Sequence, residues 1–138
     1  MVVTSKFYIK TKGRNDIQDI TDKVQSILSE SGIKEGNILC FVAGSTASLT
    51  TIEYEPGLLK DLPEALELIA PMNKIYHHDD TWHDGNGYAH VRASLIGPSL
   101  TIPFSKGKLL LGTWQQIVLI DFDNRSRERA VIVQIMGE

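Results

Sequence analysis

A single cysteine, Cys40, among 138 residues excludes an internal disulfide and with it the cross-linked scaffolds of small secreted domains. Its setting, Ile38-Leu39-Cys40-Phe41-Val42, marks it as a small core hydrophobe rather than a nucleophile. The chain also lacks any run of about 18 apolar residues, the length a membrane span requires. Met1-Val2-Val3-Thr4 leads straight into patterned sequence, not into a charged leader with an apolar segment behind it. Together these absences predict a cytoplasmic protein with no membrane partner. A basic stripe is missing too. Net charge is -3, and the densest basic cluster, Arg125-Ser126-Arg127-Glu128-Arg129, is diluted by an acid, so no nucleic-acid partner is expected. Nor is there a linker, repeat or low-complexity tract, and residues 1–138 read as one domain. A chain near 150 residues buries about two-thirds of its unfolded surface, enough for a core without metal or disulfide support.

What is present is patterned. Lys6 to Lys10 alternates as a strand, with Phe7 and Ile9 on one face. Val24, Ile27 and Leu28 recur at helical spacing, and Gly32 offers a left-handed stop, predicting a helix from Thr21 to Ser31. Ile38–Val42 and Ser48–Ile52 read as strands. Leu59, Leu62, Leu66 and Ile69 trace a second helix, in which Pro63 is expected in the first turn, where its missing N–H costs nothing. Ser99–Phe104 reads as a strand, Ser105-Lys106-Gly107 as a tight turn, Lys108–Asp121 as one long strand, Asp123-Asn124-Arg125 as a turn and Ala130–Met136 as the last strand. Short turns between the last three strands predict antiparallel pairing in sequence order. The expected fold is α+β: a sandwich-like single domain of antiparallel sheets with two to three helices.

All four histidines fall between His77 and His90, about one-tenth of the chain, among four Asp or Asn residues. Imidazole and carboxylate are the donor set for zinc and other divalent metals, and the groups that titrate near neutral pH. Tyr88, Val91 and Leu95 predict a helix from Asn86 to Gly97, with Asn86, His90 and Ser94 on its opposite face. Asp84 stands just before it, where capping free amides and ligating a metal are both open. The glycines of Asp84-Gly85-Asn86-Gly87 would admit an anion at that helix start. Gly44-Ser45-Thr46-Ala47-Ser48 follows a strand and reads as a turn or as one wall of a phosphate pocket. Gly112 in Leu111-Gly112-Thr113-Trp114-Gln115-Gln116 marks a bulge or a close approach; Trp114 fits a core or subunit contact, and Gln115 is a candidate substrate contact.

Taken in order, Gly44 to Glu53, Asp84-Gly85-Asn86 with His90, Ala93 to Pro103 and Leu111 to Gln116 resemble the YjbQ family, a group also described as secondary thiamine-phosphate synthase enzymes. The resemblance spans the whole chain. It implies a trimeric α+β protein with a histidine-centred site, and it selects His78 beside His90 as the histidine before the Asp-x-Asn segment. Many members carry a histidine where this chain has Gly44, so no role is carried to that position. The implied chemistry joins a pyrimidine pyrophosphate to a thiazole phosphate, with a divalent metal (zinc or magnesium) on His78, Asp84 and His90 and phosphate contacts from Ser45, Thr46 and Asn86. Two alternatives share the same residues: a non-catalytic metal- or phosphometabolite-binding protein, and a metal-assisted hydrolase with Glu53 as general base.

Overall fold

The computed structural model describes residues 1–138 as an α+β domain of two antiparallel sheets and four helices. In chain order the elements are β1 (Val2–Thr11), β2 (Asp16–Asp19), α1 (Thr21–Ser31), β3 (Gly36–Ala43), β4 (Ala47–Ile52), α2 (Pro56–Ile69), α3 (His77–Trp82), α4 (Gly87–Ile96), β5 (Ser99–Ser105), β6 (Lys108–Leu109), β7 (Gln116–Asp121) and β8 (Arg127–Gly137). One sheet has the order β1-β8-β3-β5-β6, the other β2-β7-β4.

The main core lies between the sheets. Alternate residues of β3 (Ile38, Cys40, Val42) and β8 (Val131, Val133, Ile135) meet Leu49, Ile117 and Leu119 of the second sheet, and Ile20, just before α1, closes it with Val24 and Leu28 of that helix. Each such side chain contributes about 1.5–3 kcal/mol on leaving water. Cys40 is among them, and burial pushes its thiol up to about 12, so it stays protonated and inert at neutral pH. The opposite face of the second sheet carries Ile17, Val118, Ile120 and Phe122 against Leu66 of α2 and Tyr88, Ala89 and Ala93 of α4. Strand β7 is therefore covered on both faces by its own chain, and its apolar run needs no neighbouring subunit.

Several sequence expectations are corrected here. The long strand Lys108–Asp121 is two strands in different sheets, because residues 110–115 leave the ladder: Gln115 donates its N–H to the Gly112 carbonyl at 3.0 Å and returns its Oε1 to the Gly112 N–H. Pairing does not follow chain order beyond β5–β6. Strand β7 pairs with β2 and β4, and β8 with β1 and β3. Trp114, on the crossover, is 71% exposed and so is no part of this chain's core. Helix α2 starts earlier than its leucines suggest, because the Glu55 carboxylate caps the Gly57 and Leu58 amides and Pro56 occupies the first turn, leaving Pro63 inside the helix. A fourth helix, α3, occupies the first half of the histidine-rich segment, one more than the two to three helices expected. Finally, Val91 and Leu95 of α4 face solvent, while Ala89, Arg92 and Ala93 are buried with Tyr88. Small residues let this helix lie close to β4, and Arg92 is accommodated by hydrogen bonds to the Ala70 carbonyl, Asn15 and Glu67.

Candidate functional site

The inward rows of two strands change character at one end of the sandwich. On β8 the row Ile135-Val133-Val131 continues as Arg129 and Arg127; on β7 the row Ile117-Leu119 continues as Asp121 and then Asp123. The period of two that places valines in the core thus places two guanidiniums and two carboxylates at its rim. Asp121 and Asp123 are fully buried and Arg129 is 7% exposed. Arg129 grips Asp121 with two parallel bonds, Nε to Oδ2 at 2.7 Å and Nη2 to Oδ1 at 2.8 Å, the bidentate geometry in which such pairs are strongest. Nη2 also donates to Thr46 Oγ1 at 2.6 Å, and Thr46 donates onward to Asp123 at 3.0 Å. Thr11 Oγ1 donates to Asp121 at 2.6 Å. Asp123 accepts from Arg127, the Asn124 N–H and Asn86 Nδ2. Burial alone pushes the Asp123 carboxyl up, but these hydrogen bonds, that from Thr46 and the Arg127 charge together outweigh it and hold the group below its ordinary value.

Helices α3 and α4 close over this rim. A cleft of about 350 Å³ opens between them and the strand ends. Its walls are Gly44, Ser45 and Thr46 from the β3–β4 turn; His78, Trp82, Asp84, Asn86 and His90 from the histidine-rich segment; and Asp123, Arg127 and Arg129. Trp82 is its one hydrophobic residue. The His78 and His90 rings lie 4.2 Å apart, tilted by 36°. His78 Nδ1 stands 3.5 Å from Asp84 Oδ1 without hydrogen-bond alignment. Asp84 does not cap α4, whose N-cap Asn86 makes no side-chain cap bond; instead the Asp84 carbonyl accepts from Asn124 Nδ2 at 2.8 Å, tying the loop to the β7–β8 turn. Burial, reinforced by the neighbouring His78, lowers the His90 pKa against the opposing pull of Asp84 and Asp123, which favours a neutral imidazole with a free lone pair.

The structure therefore brings together six residues singled out by the sequence: His78, Asp84, His90, Asn86, Ser45 and Thr46. It does not bring Glu53 or Gln115 to this cleft. Glu53 is exposed beyond the end of β4, and Gln115 Nε2 donates to Thr51 Oγ1 in a separate hollow of about 290 Å³. His77 and His83 project into solvent. Four residues escaped sequence reasoning: Asp79, Asp123, Arg127 and Arg129. The last two were legible only as a diluted basic cluster, although their spacing of two, in phase with Val131 and Val133, marks them as inward-facing. One donor atom each from His78, Asp79 and Asp84 lies within 4.8 Å of the others. Within that set His78 Nδ1 and Asp79 Oδ1, and nearby Asn86 Oδ1, are buried without a hydrogen-bond partner. Unpaired acceptors of this kind suit a divalent cation or a ligand's N–H or O–H groups; His90 stacks on His78 outside the tightest group.

The sequence relationship runs through the whole domain. Residues 5–138 match the family model of UPF0047, YjbQ-like proteins. The chain belongs to that family. A UPF0047 protein of Archaeoglobus fulgidus is 40% identical over 128 residues, covering 93% of this chain and 97% of the relative. One from Methanocaldococcus jannaschii is 38% identical over 134 residues, with 96% and 94% covered. Among solved structures, a YbjQ-like protein of Sulfolobus solfataricus superposes with a TM-score of 0.93 at 36% identity, covering 100% of this chain and 99% of that one. A family member from Clostridium acetobutylicum, an orthologue of Bacillus subtilis YugU, gives 0.87 at 35% identity, with 96% and 99% covered. The two-sheet architecture is thus the family's own.

Proposed function

We propose that this cleft handles a small phosphorylated metabolite, with a divalent cation, zinc or magnesium, held on its histidine side and phosphate oxygens directed to its arginine side. The observation that carries this reading is the convergence of imidazoles, carboxylates and two guanidiniums on one cleft with a single hydrophobic wall residue. His78, Asp84 and His90 would hold the cation, with Asp79 close enough to join. The cation would supply charge stabilisation to a departing phosphate group. Arg127, Arg129, Ser45 and Asn86, which line the same cleft, would orient the phosphate.

The reaction proposed for these parts is thiamine-phosphate synthesis. The pyrimidine's exocyclic carbon–oxygen bond to pyrophosphate breaks, the electron pair leaves with pyrophosphate, and the thiazole nitrogen lone pair forms the new carbon–nitrogen bond. Such a step needs leaving-group stabilisation more than a general base. That suits the absence of Glu53 from the cleft, and for the same reason hydrolysis with Glu53 as base has no support here. The test is a steady-state assay with both phosphorylated substrates and magnesium or zinc, on wild type and His90→Ala. A rate in wild type that falls about 100-fold or more in the variant supports the reading, on the scale typical for losing a placed catalytic contact. A rate that His90→Ala leaves unchanged removes the site. Stoichiometric binding of phosphorylated ligands without turnover would leave the non-catalytic binder.

We further propose a cytoplasmic homotrimer. A reducing compartment suits the lone buried Cys40, and no helix is long and apolar enough to cross a membrane. Leu110 and Trp114 of the crossover are 58% and 71% exposed, and a second copy would cover these two apolar side chains. Light scattering at micromolar concentration should return about three times the 15.4 kDa chain mass; a single-chain mass rules the trimer out.

A further inference from the structure

Gly44 directly follows β3 with a backbone outside the left-handed region, so its conformation does not require glycine. What requires it is space. A Cβ at this position would stand 2.7 Å from Arg129 Nη1 and within contact of nothing else but that same guanidinium. The guanidinium cannot readily swing aside, because Nε and Nη2 are held by Asp121 and Nη2 by Thr46. Nη1, in contrast, makes no hydrogen bond, although Arg129 is more than nine-tenths buried and its remaining exposure is to the cleft. The missing side chain at position 44 therefore uncovers two fixed N–H donors. Arg127, about one-third exposed, spends Nε and Nη2 on Asp123, leaves its own Nη1 unpaired and lines the same cleft. Ser45 adds a hydroxyl from the same turn.

We propose that Gly44 and Arg129 create an oxyanion subsite, which takes a terminal phosphate through Arg129 Nη1 with help from Arg127 and Ser45. The inference deepens the phosphometabolite reading and rests on it. Each guanidinium is already matched by a buried carboxylate, so the subsite offers directed donors but no net positive charge. It recognises a phosphate oxygen by geometry and relies on a cation at the His78 side to balance the phosphate charge. Phosphate should therefore bind better with magnesium or zinc present than without.

The experiment is calorimetric titration of inorganic phosphate, and separately pyrophosphate, into wild type and Gly44→Ala with magnesium present. Gly44→Ala should weaken phosphate binding roughly tenfold or more, the scale of losing one charge-assisted hydrogen bond. Its melting temperature without ligand should fall, because the backbone accepts alanine but the added methyl crowds the fixed Arg129 guanidinium, so both proteins are titrated well below that transition. Arg129→Lys, which keeps the charge but loses the fork, should show a comparable loss. Equal phosphate affinity in wild type and Gly44→Ala overturns the subsite while leaving the phosphometabolite reading intact. Failure of wild type to bind either probe with the cation present overturns that reading, and the subsite with it.

Discussion

Asp121→Asn is expected to destabilise the fold by about 3–5 kcal/mol, the cost of leaving a buried partner charge uncompensated. Arg129 is 7% exposed, and its bidentate partner is the fully buried Asp121 carboxylate. Asparagine is isosteric but neutral, so one of its two contacts becomes donor against donor. Urea unfolding followed by circular dichroism measures the difference directly. A loss under about 1 kcal/mol would mean that the pair contributes no more than an exposed one. Thr11→Val serves as the graded control, since it removes only the hydroxyl that donates to Asp121 and should cost about 1 kcal/mol. Asp123 adds a pH dependence of definite sign. Its folded pKa lies below the ordinary value of 3.8. Its stabilisation is therefore complete above that value and disappears as pH falls through the lower, folded one. Wild type should lose stability more steeply than Asp123→Asn below about pH 4. Parallel acid limbs would contradict this.

His78→Ala should weaken divalent-cation binding at least about 100-fold, given that even residues supporting a metal ligand commonly contribute 10–100-fold. His78 is common to the close contacts on the histidine side of the cleft: 3.5 Å from Asp84, 4.2 Å between ring centroids to His90, and grouped with Asp79. His77→Ala is the matched control. Its ring is fully exposed to solvent on the same helix, outside the cleft lining, and approaches Asp80 at 3.8 Å, so binding should be unchanged. Titration with zinc or cobalt, read by calorimetry or cobalt absorption, separates the two variants. Indistinguishable affinities for His78→Ala and wild type would move any cation away from this cleft.

Elements governed by local rules were legible. Helix α1 has the bounds its periodicity and Gly32 predict, because the left-handed stop (φ 73°) and the Val24–Leu28 stripe are local properties. Helix α4 also lies where expected, and Asn86 and His90 do share a face along the cleft, Ser94 continuing it beside Gly44. Misreadings arose where a segment answers to distant partners. Leu109 to Ile120 is apolar enough to look continuous, and only the second sheet's position determines that the chain must cross over at Gly112–Gln115. The burial of Val118 and Ile120 by α2 and α4 could not be seen from β7 itself.

Sequence alone picked out the segment that lines the helical end of the cleft, since clustering of histidine, aspartate and asparagine within one short stretch needs no fold to be noticed. It also settled the α+β class, through local periodicity. Which residues oppose that segment was decided by tertiary structure. Arg127, Arg129 and Asp123 meet His78 and His90 in one cleft because β7 and β8 belong to different sheets whose inward rows end at the same edge. That meeting is a long-range event, set by strand pairing between residues more than 100 positions apart in the chain, such as Thr11 with Arg127. No local spacing records it.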